Sequence, residues 1–66
     1  MFDKKKFKIA VTLSGYSMEE IANLLGISVP TLYRKINRDG DFRRYEIQIL
    51  ISKLGIKNAD QIFFVD

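Results

Sequence analysis

The chain has 66 residues, 47% of them hydrophobic, a formal net charge of +3, and neither cysteine nor histidine. That is one domain's worth of sequence, with a small core and too much apolar content for a disordered tail. Disulfides, thiol catalysis and the usual zinc ligands are excluded, and no apolar run approaches the eighteen or so residues of a membrane span. The basic start at Lys4, Lys5 and Lys6 is followed only by the short apolar stretch Ile9 to Leu13, which is no signal peptide. The expectation is a single cytoplasmic domain over 1–66, without cofactor, metal or small-molecule ligand.

Four glycines, at 15, 26, 40 and 55, divide the chain into helix-length segments. The first runs from Lys4 to Ser14, with Phe7, Ala10, Val11 and Ser14 on one face at i, i+3, i+4, i+7. Asp3 is its N-cap and Gly15 its stop. Ser17 opens the second segment. With Glu20 three residues on it makes a capping box, and Met18, Ile21, Ala22 and Leu25 form an apolar stripe ending at Gly26. The third segment starts two residues after that glycine, with Ser28 as N-cap and Pro30 in the first turn, where its missing N–H is harmless. Leu32 and Ile36 point inward, and the helix ends near Asn37 or Arg38. Asp39-Gly40-Asp41 reads as a turn.

The fourth segment, from about Arg43 to Leu54, repeats the helical spacing at Ile47, Leu50, Ile51 and Leu54. Its start is open between Asp41 as cap and Arg43 as N-cap with Glu46 at N3. The last segment, Asn58 to Phe63, reads as a short helix capped by Asn58, with a strand over Ile62 to Val65 as the alternative. At least two of Ile62, Phe63 and Phe64 belong against the core. The fold class is all-α, a compact bundle of four to five helices.

Two short helices joined through a glycine turn at 17–37 form a helix-turn-helix, which holds its second helix rigidly at an angle suited to the DNA major groove. At about 100° per residue, Val29, Leu32 and Ile36 share the inward sector of that helix. Pro30, Tyr33, Arg34 and Asn37 fall on or beside the opposite sector, flanked by Thr31 and Arg38. A helix of about ten residues spans about 15 Å, and the major groove is about 12 Å wide. Arg34 is the leading candidate reader, because its planar fork matches O6 and N7 of guanine. The competing reading gives it a phosphate, or a carboxylate such as Asp41.

Charge is unevenly spread. Residues 1–16 carry +3, residues 17–27 carry −2, residues 28–44 carry +3 and residues 45–66 carry −1. Positive charge beside the proposed reading helix suits a polyanion. Ser17, Thr31, Arg38, Arg43 and Arg44 are the candidate phosphate contacts, which fix orientation without reading sequence. Lys4, Lys5 and Lys6 are read either as further phosphate contacts or as a solvated face.

Over Ser17 to Asn37 the chain resembles the lambda repressor and Cro-type (XRE-type) helix-turn-helix domains. The residues that carry the resemblance are Ile21, Ala22, Leu25, Gly26, Ile27, Leu32 and Ile36, with the run Gly26-Ile27-Ser28 and Thr31 to Asn37. The ending Asp60-Gln61-Ile62-Phe63-Phe64 is similar to small prophage regulators. The resemblance implies a lambda-repressor-like bundle and a transcriptional regulator, of repressor type, that binds double-stranded operator DNA. It implies base contacts from Ser28, Val29, Pro30, Tyr33, Arg34 and Asn37. It also implies a homodimer on a near-palindromic site. Three positions depart from it: Met18 stands where glutamine is common, Val29 and Pro30 replace polar readers, and Val11 and Ile36 occupy the places of an arginine–glutamate pair.

The alternative is a protein-interaction module of antirepressor or antitoxin type, with Ile62 to Val65, Phe42 and Tyr45 as its interface. Glu19-Glu20 is explained by capping, and no nucleophile–base set can be assembled, so an enzyme is not expected.

Overall fold

The structure, a computed structural model, describes residues 1–65. Five helices follow in chain order: α1 (Lys4–Ser14), α2 (Met18–Leu25), α3 (Val29–Asn37), α4 (Arg44–Leu54) and α5 (Ala59–Phe63). No strand occurs among the described residues, so the all-α expectation holds with five helices. α1 packs on α4 and α5, and α2 packs on α3 and α4.

The helix starts follow from short-range hydrogen bonding. Asp3 Oδ1 accepts from the Lys6 N–H at 3.0 Å, which closes an orphan donor of α1. Ser17 and Glu20 form the reciprocal capping box of α2, with Glu20 N–H to Ser17 Oγ at 3.1 Å and Ser17 N–H to Glu20 Oε1 at 2.9 Å. Ser28 Oγ accepts from the Thr31 N–H at the head of α3. At Gly26 the backbone takes φ +71°, the left-handed region where a Cβ is penalised. There the Ile27 N–H reaches the Ala22 carbonyl at 3.0 Å and the Gly26 N–H reaches Asn23 at 3.2 Å. These two bonds are a Schellman ending, and they bring α2 to a stop within the three residues that separate it from α3.

The core is made by Phe7 of α1, Ile21, Ala22 and Leu25 of α2, Leu32 and Ile36 of α3, Leu50 and Leu54 of α4, and Ile62 and Phe63 of α5. Within it, Phe2, Phe7, Phe42 and Phe63 form a tetrad in which every pair of ring centroids lies between 5.3 and 6.2 Å. Tilted and edge-to-face arrangements dominate, as the ring quadrupoles prefer. The segment before α1 is tied down further by backbone bonds. Phe2 N–H donates to Asp39 Oδ1 at 3.0 Å, Asp3 N–H to Ile62 O at 2.7 Å, and Val65 N–H to Met1 O at 2.8 Å.

Two open alternatives are decided here, the helix at Asn58 to Phe63 and the Arg43 start of α4, and two local readings are corrected. The stretch 62–65 is not a strand: Ile62 and Phe63 turn inward within α5, while Phe64 lies exposed. Asn58 occupies the N-cap of α5 but its side chain makes no capping bond. α4 is entered through Arg43 rather than Asp41. The Arg43 N–H donates to Glu46 Oε1 at 2.7 Å, one half of a capping box, since a guanidinium has nothing to accept with. The interface imagined at Phe42 and 62–65 is consumed by the core, and only Tyr45 and Phe64 of that set remain largely exposed.

Gly40 adopts φ +66°, and a Cβ there would overlap the Phe2 ring. Gly26 is equally left-handed but has open space around it. Gly40→Ala is therefore expected to cost about 2–4 kcal/mol in urea denaturation, combining backbone strain with overpacking. Gly26→Ala should cost about 1–2 kcal/mol from the backbone alone.

Candidate nucleic-acid interface

α3 is held from behind. Leu32 is fully buried, Ile36 nearly so, and Val29 is half-buried against the same cluster. One edge of the helix is fixed by an ion pair, Lys35 Nζ to Glu46 Oε1 at 3.2 Å, with the carboxylate 1% exposed. The same ammonium also donates to the Asp41 carbonyl at 3.3 Å, while the Asp41 N–H returns a bond to the Lys35 carbonyl at 3.0 Å. Glu46 thus serves two neighbours, the Lys35 ammonium and the Arg43 N–H, and every buried polar side-chain atom among the described residues has a partner. An ion pair this far from water is retained only with such added hydrogen bonds.

The opposite side of α3 is free. Ser28, Pro30, Tyr33, Arg34 and Asn37 are all exposed, in the sector that the helical spacing assigns to them. Arg34 has no ion pair with Asp41 or any other carboxylate among the described residues. Two polar groups on this face are already engaged. Ser28 Oγ donates to Thr31 Oγ1 at 2.9 Å besides capping the helix, and Asn37 Oδ1 accepts from Lys4 Nζ at 2.9 Å. Thr31 is half-buried, and its hydroxyl hydrogen is left to donate outward.

The candidate phosphate contacts fall in two places. Arg38, Arg43 and Arg44 are exposed and line the exit from α3 into α4, without ion-pair partners among the described residues. Ser17 stands apart from them at the head of α2, its N–H donating to Glu20 Oε1 and its hydroxyl oxygen accepting from the Glu20 N–H, with the carboxylates of Glu19 and Glu20 in the same first turn. Fixed negative charge there opposes an approaching phosphate. The positions of the departing arginine–glutamate pair, Val11 and Ile36, line one groove of about 310 Å³ between α1 and α3. The ion pair that braces α3 is instead Lys35–Glu46, on its other edge.

Sequence reasoning missed that pair. Lys35 lies between the inward and outward sectors of α3, and Glu46 was already accounted for as a capping residue. The signal that was available is the double use of a carboxylate at N3 of a helix whose N-cap cannot accept.

A short α2, a glycine turn and an α3 gripped on one side with a polar, cationic face on the other define a helix-turn-helix DNA-binding domain. A family profile described as bacterial regulatory protein, Fis family, matches residues 2–38, more than half of the 66. The chain belongs to that family of regulators, whose domain is a helix-turn-helix of DNA-binding type. The matched stretch runs from the segment before α1 through α3. The match is to the Fis family, not to the lambda-repressor type. No curated protein and no solved structure matches the chain. No described helix is long and apolar enough to cross a membrane.

Removing each kind of group separates bracing from contact. Glu46→Ala leaves Lys35 and the Arg43 N–H without their shared acceptor and is expected to lower stability by about 2–3 kcal/mol. Arg34 is exposed and its side chain makes no hydrogen bond or ion pair among the described residues, so Arg34→Ala should stay within about 0.5 kcal/mol in the same urea titration.

Proposed function

We propose that this domain is a sequence-specific regulator of transcription that enters the major groove of double-stranded DNA with α3. The observation that carries this reading is the asymmetry of α3: apolar and ion-paired on the inward side, and presenting beside Pro30, Tyr33 and Asn37 on the outward side a guanidinium with no ion-pair partner among the described residues. The family match supports DNA as the partner. At nine residues α3 is about 14 Å long and can present three or four side chains to base edges.

In this reading Arg34 makes the bidentate contact to guanine. Val29 and Pro30 offer apolar contact to thymine methyls at the leading end of α3. Tyr33, 48% exposed, reaches the sugar–phosphate edge. Ser28 presents its backbone and fixes the helix start, and Thr31 donates to phosphate, as do Arg38, Arg43 and Arg44. Ser17 has only its hydroxyl hydrogen to give a flanking phosphate, against the charge of Glu19 and Glu20.

So few readers per copy favour a homodimer on a near-palindromic operator, its half-sites one helical turn (about 34 Å) apart.

The test is selection of bound sequences from a random duplex library, followed by titration of variants on the selected site. Arg34→Ala is expected to lower specific affinity by about 10-fold to 100-fold and to relax preference at a single base pair. Arg43→Ala with Arg44→Ala should weaken all sequences alike and reduce the slope of log K against log salt by about 2. A protein that enriches no motif and shows the same affinity after Arg34→Ala does not read DNA with this face.

A further inference from the structure

The start of α4 lies on the Lys35 edge of α3, since Glu46 accepts from both Lys35 Nζ and the Arg43 N–H, and the helical spacing turns Arg38 toward that same edge. A helix seated in the major groove has a phosphate strand along each of its edges, so the other edge needs cations as well. On α3 the second edge is the one that carries Tyr33 and Asn37, and α1 runs beside it.

Lys4 and Lys8 of α1 line the groove shared with Tyr33, Ile36 and Asn37. They are i and i+4 on their helix, one above the other and about 5–6 Å apart at Cβ. The two ridges face each other across an apolar floor that includes Phe7 and Val11. Lys4 Nζ is held at 2.9 Å by Asn37 Oδ1, which fixes the end of the α1 ridge to the end of the reading helix. Lys5 and Lys6 do not line this groove, and Lys6 instead borders a separate cleft between α1, the end of α4 and α5.

We infer that Lys4 and Lys8 are the phosphate contacts on the second edge of the DNA-bound helix, and that Asn37 is a positioning residue that aims Lys4 rather than a reader of bases. The inference rests on α3 entering the major groove. It assigns the two strands separately: Arg38, Arg43 and Arg44 meet one, and Lys4 and Lys8 meet the other. An ammonium held by a neutral amide keeps its full charge and two remaining N–H donors, so the tie orients the group without neutralising it. The same tie takes one of the two lone pairs of Asn37 Oδ1 and turns that atom toward α1, so it competes with bidentate recognition of adenine, which needs both amide atoms aimed at the base.

The experiment measures duplex affinity against salt concentration for the full chain and three variants. Lys4→Ala with Lys8→Ala is expected to reduce the slope of log K against log salt by about 1.8, two phosphate contacts at 0.9 each. Lys53→Ala with Lys57→Ala removes the same charge from the end of α4 and the loop after it, and should change the slope by less than about 0.5. Asn37→Ala should reduce low-salt affinity several-fold while leaving the selected base motif unchanged. All the lysines replaced are exposed, and unchanged far-ultraviolet circular dichroism and urea midpoint confirm folding.

Equal slopes for the two lysine doubles would show a general charge effect and overturn the assignment. An unchanged slope for Lys4→Ala with Lys8→Ala, in a protein that still binds in a salt-dependent way, overturns the ridge alone. Loss of preference at one base pair in Asn37→Ala makes Asn37 a reader and overturns its positioning role. Absence of any duplex binding by the unmodified chain refutes the DNA reading itself, and the ridge with it.

Discussion

Four phenylalanine rings set the shape of this domain. Phe2, Phe7, Phe42 and Phe63 come from the segment before α1, from α1, from the loop after α3 and from α5, and they meet in one cluster. A chain of 66 residues has little interior, and aromatic side chains remove the most apolar surface from water for each residue ordered. Because each ring comes from a different part of the chain, the cluster also fixes topology. Phe42 draws the α3–α4 loop inward, and Phe2 lies over Gly40 in that loop, where no side chain can be accommodated. Asp39 is the one described non-glycine residue at positive φ, and its carboxylate accepts from the Phe2 N–H. An aspartate tolerates the left-handed region better than most residues, so the turn and the tie are made by one side chain. The end of α3 and the start of the chain are consequently positioned by the same contacts.

That arrangement explains how a helix can be both rigid and available. Burial behind Leu32 and Ile36 holds α3 radially, but apolar contact alone leaves a helix free to rotate slightly about its axis. The Lys35–Glu46 pair restrains rotation, because it is directional and because both groups lose their solvation unless they stay together. Since Glu46 also caps α4, the orientation of α3 is referred to the backbone of α4 rather than to a mobile side chain. The outward face needs no restraint of its own. Of its cations, Lys35 is spent on bracing, and Arg34, Arg38, Arg43 and Arg44 keep their charge for solvent or a polyanion.

The fold was legible where its determinants are local. The N-caps Asp3, Ser17 and Ser28, the glycine stops and the helical spacing each act within four residues or so, and they locate α1, α2 and α3 correctly. The exposed sector of α3 follows from the same spacing. What escaped depends on contacts between distant residues. Asn58 to Phe63 reads as a short helix, but Ile62 to Val65 also suits a strand, and the docking of Ile62 and Phe63 on α1 and the aromatic cluster decides between the two. Asp41 looks a better cap than Arg43, but its backbone is taken by Lys35. The apolar periodicity of α1 names Phe7 and Val11 as its inner face, yet it gives no reason for Ile9 and Leu13, which stand 58% and 82% exposed. In the site, Arg34 could be singled out because its role is set by direction, whereas the tie between Lys4 and Asn37 spans 33 positions and has no local signature.

The distinction between a lambda-type resemblance and membership of the Fis family has a physical origin. A capping box, a Schellman turn at glycine and a second helix opened by serine are requirements of any compact helix-turn-helix, because the two helices must stop and restart within a few residues. Residues 17–37 meet those requirements, and so they look like every family that meets them. Beyond the turn, the bracing of the reading helix depends on residues from other parts of the chain. Where an arginine–glutamate pair would tie α1 to α3, this chain has Val11 and Ile36 lining an apolar groove, and it places its buried charge between α3 and α4. The profile that identifies the family ends at residue 38, before Glu46. The bracing carboxylate, which ties α3 to the start of α4, therefore lies in the part of the chain beyond the family match.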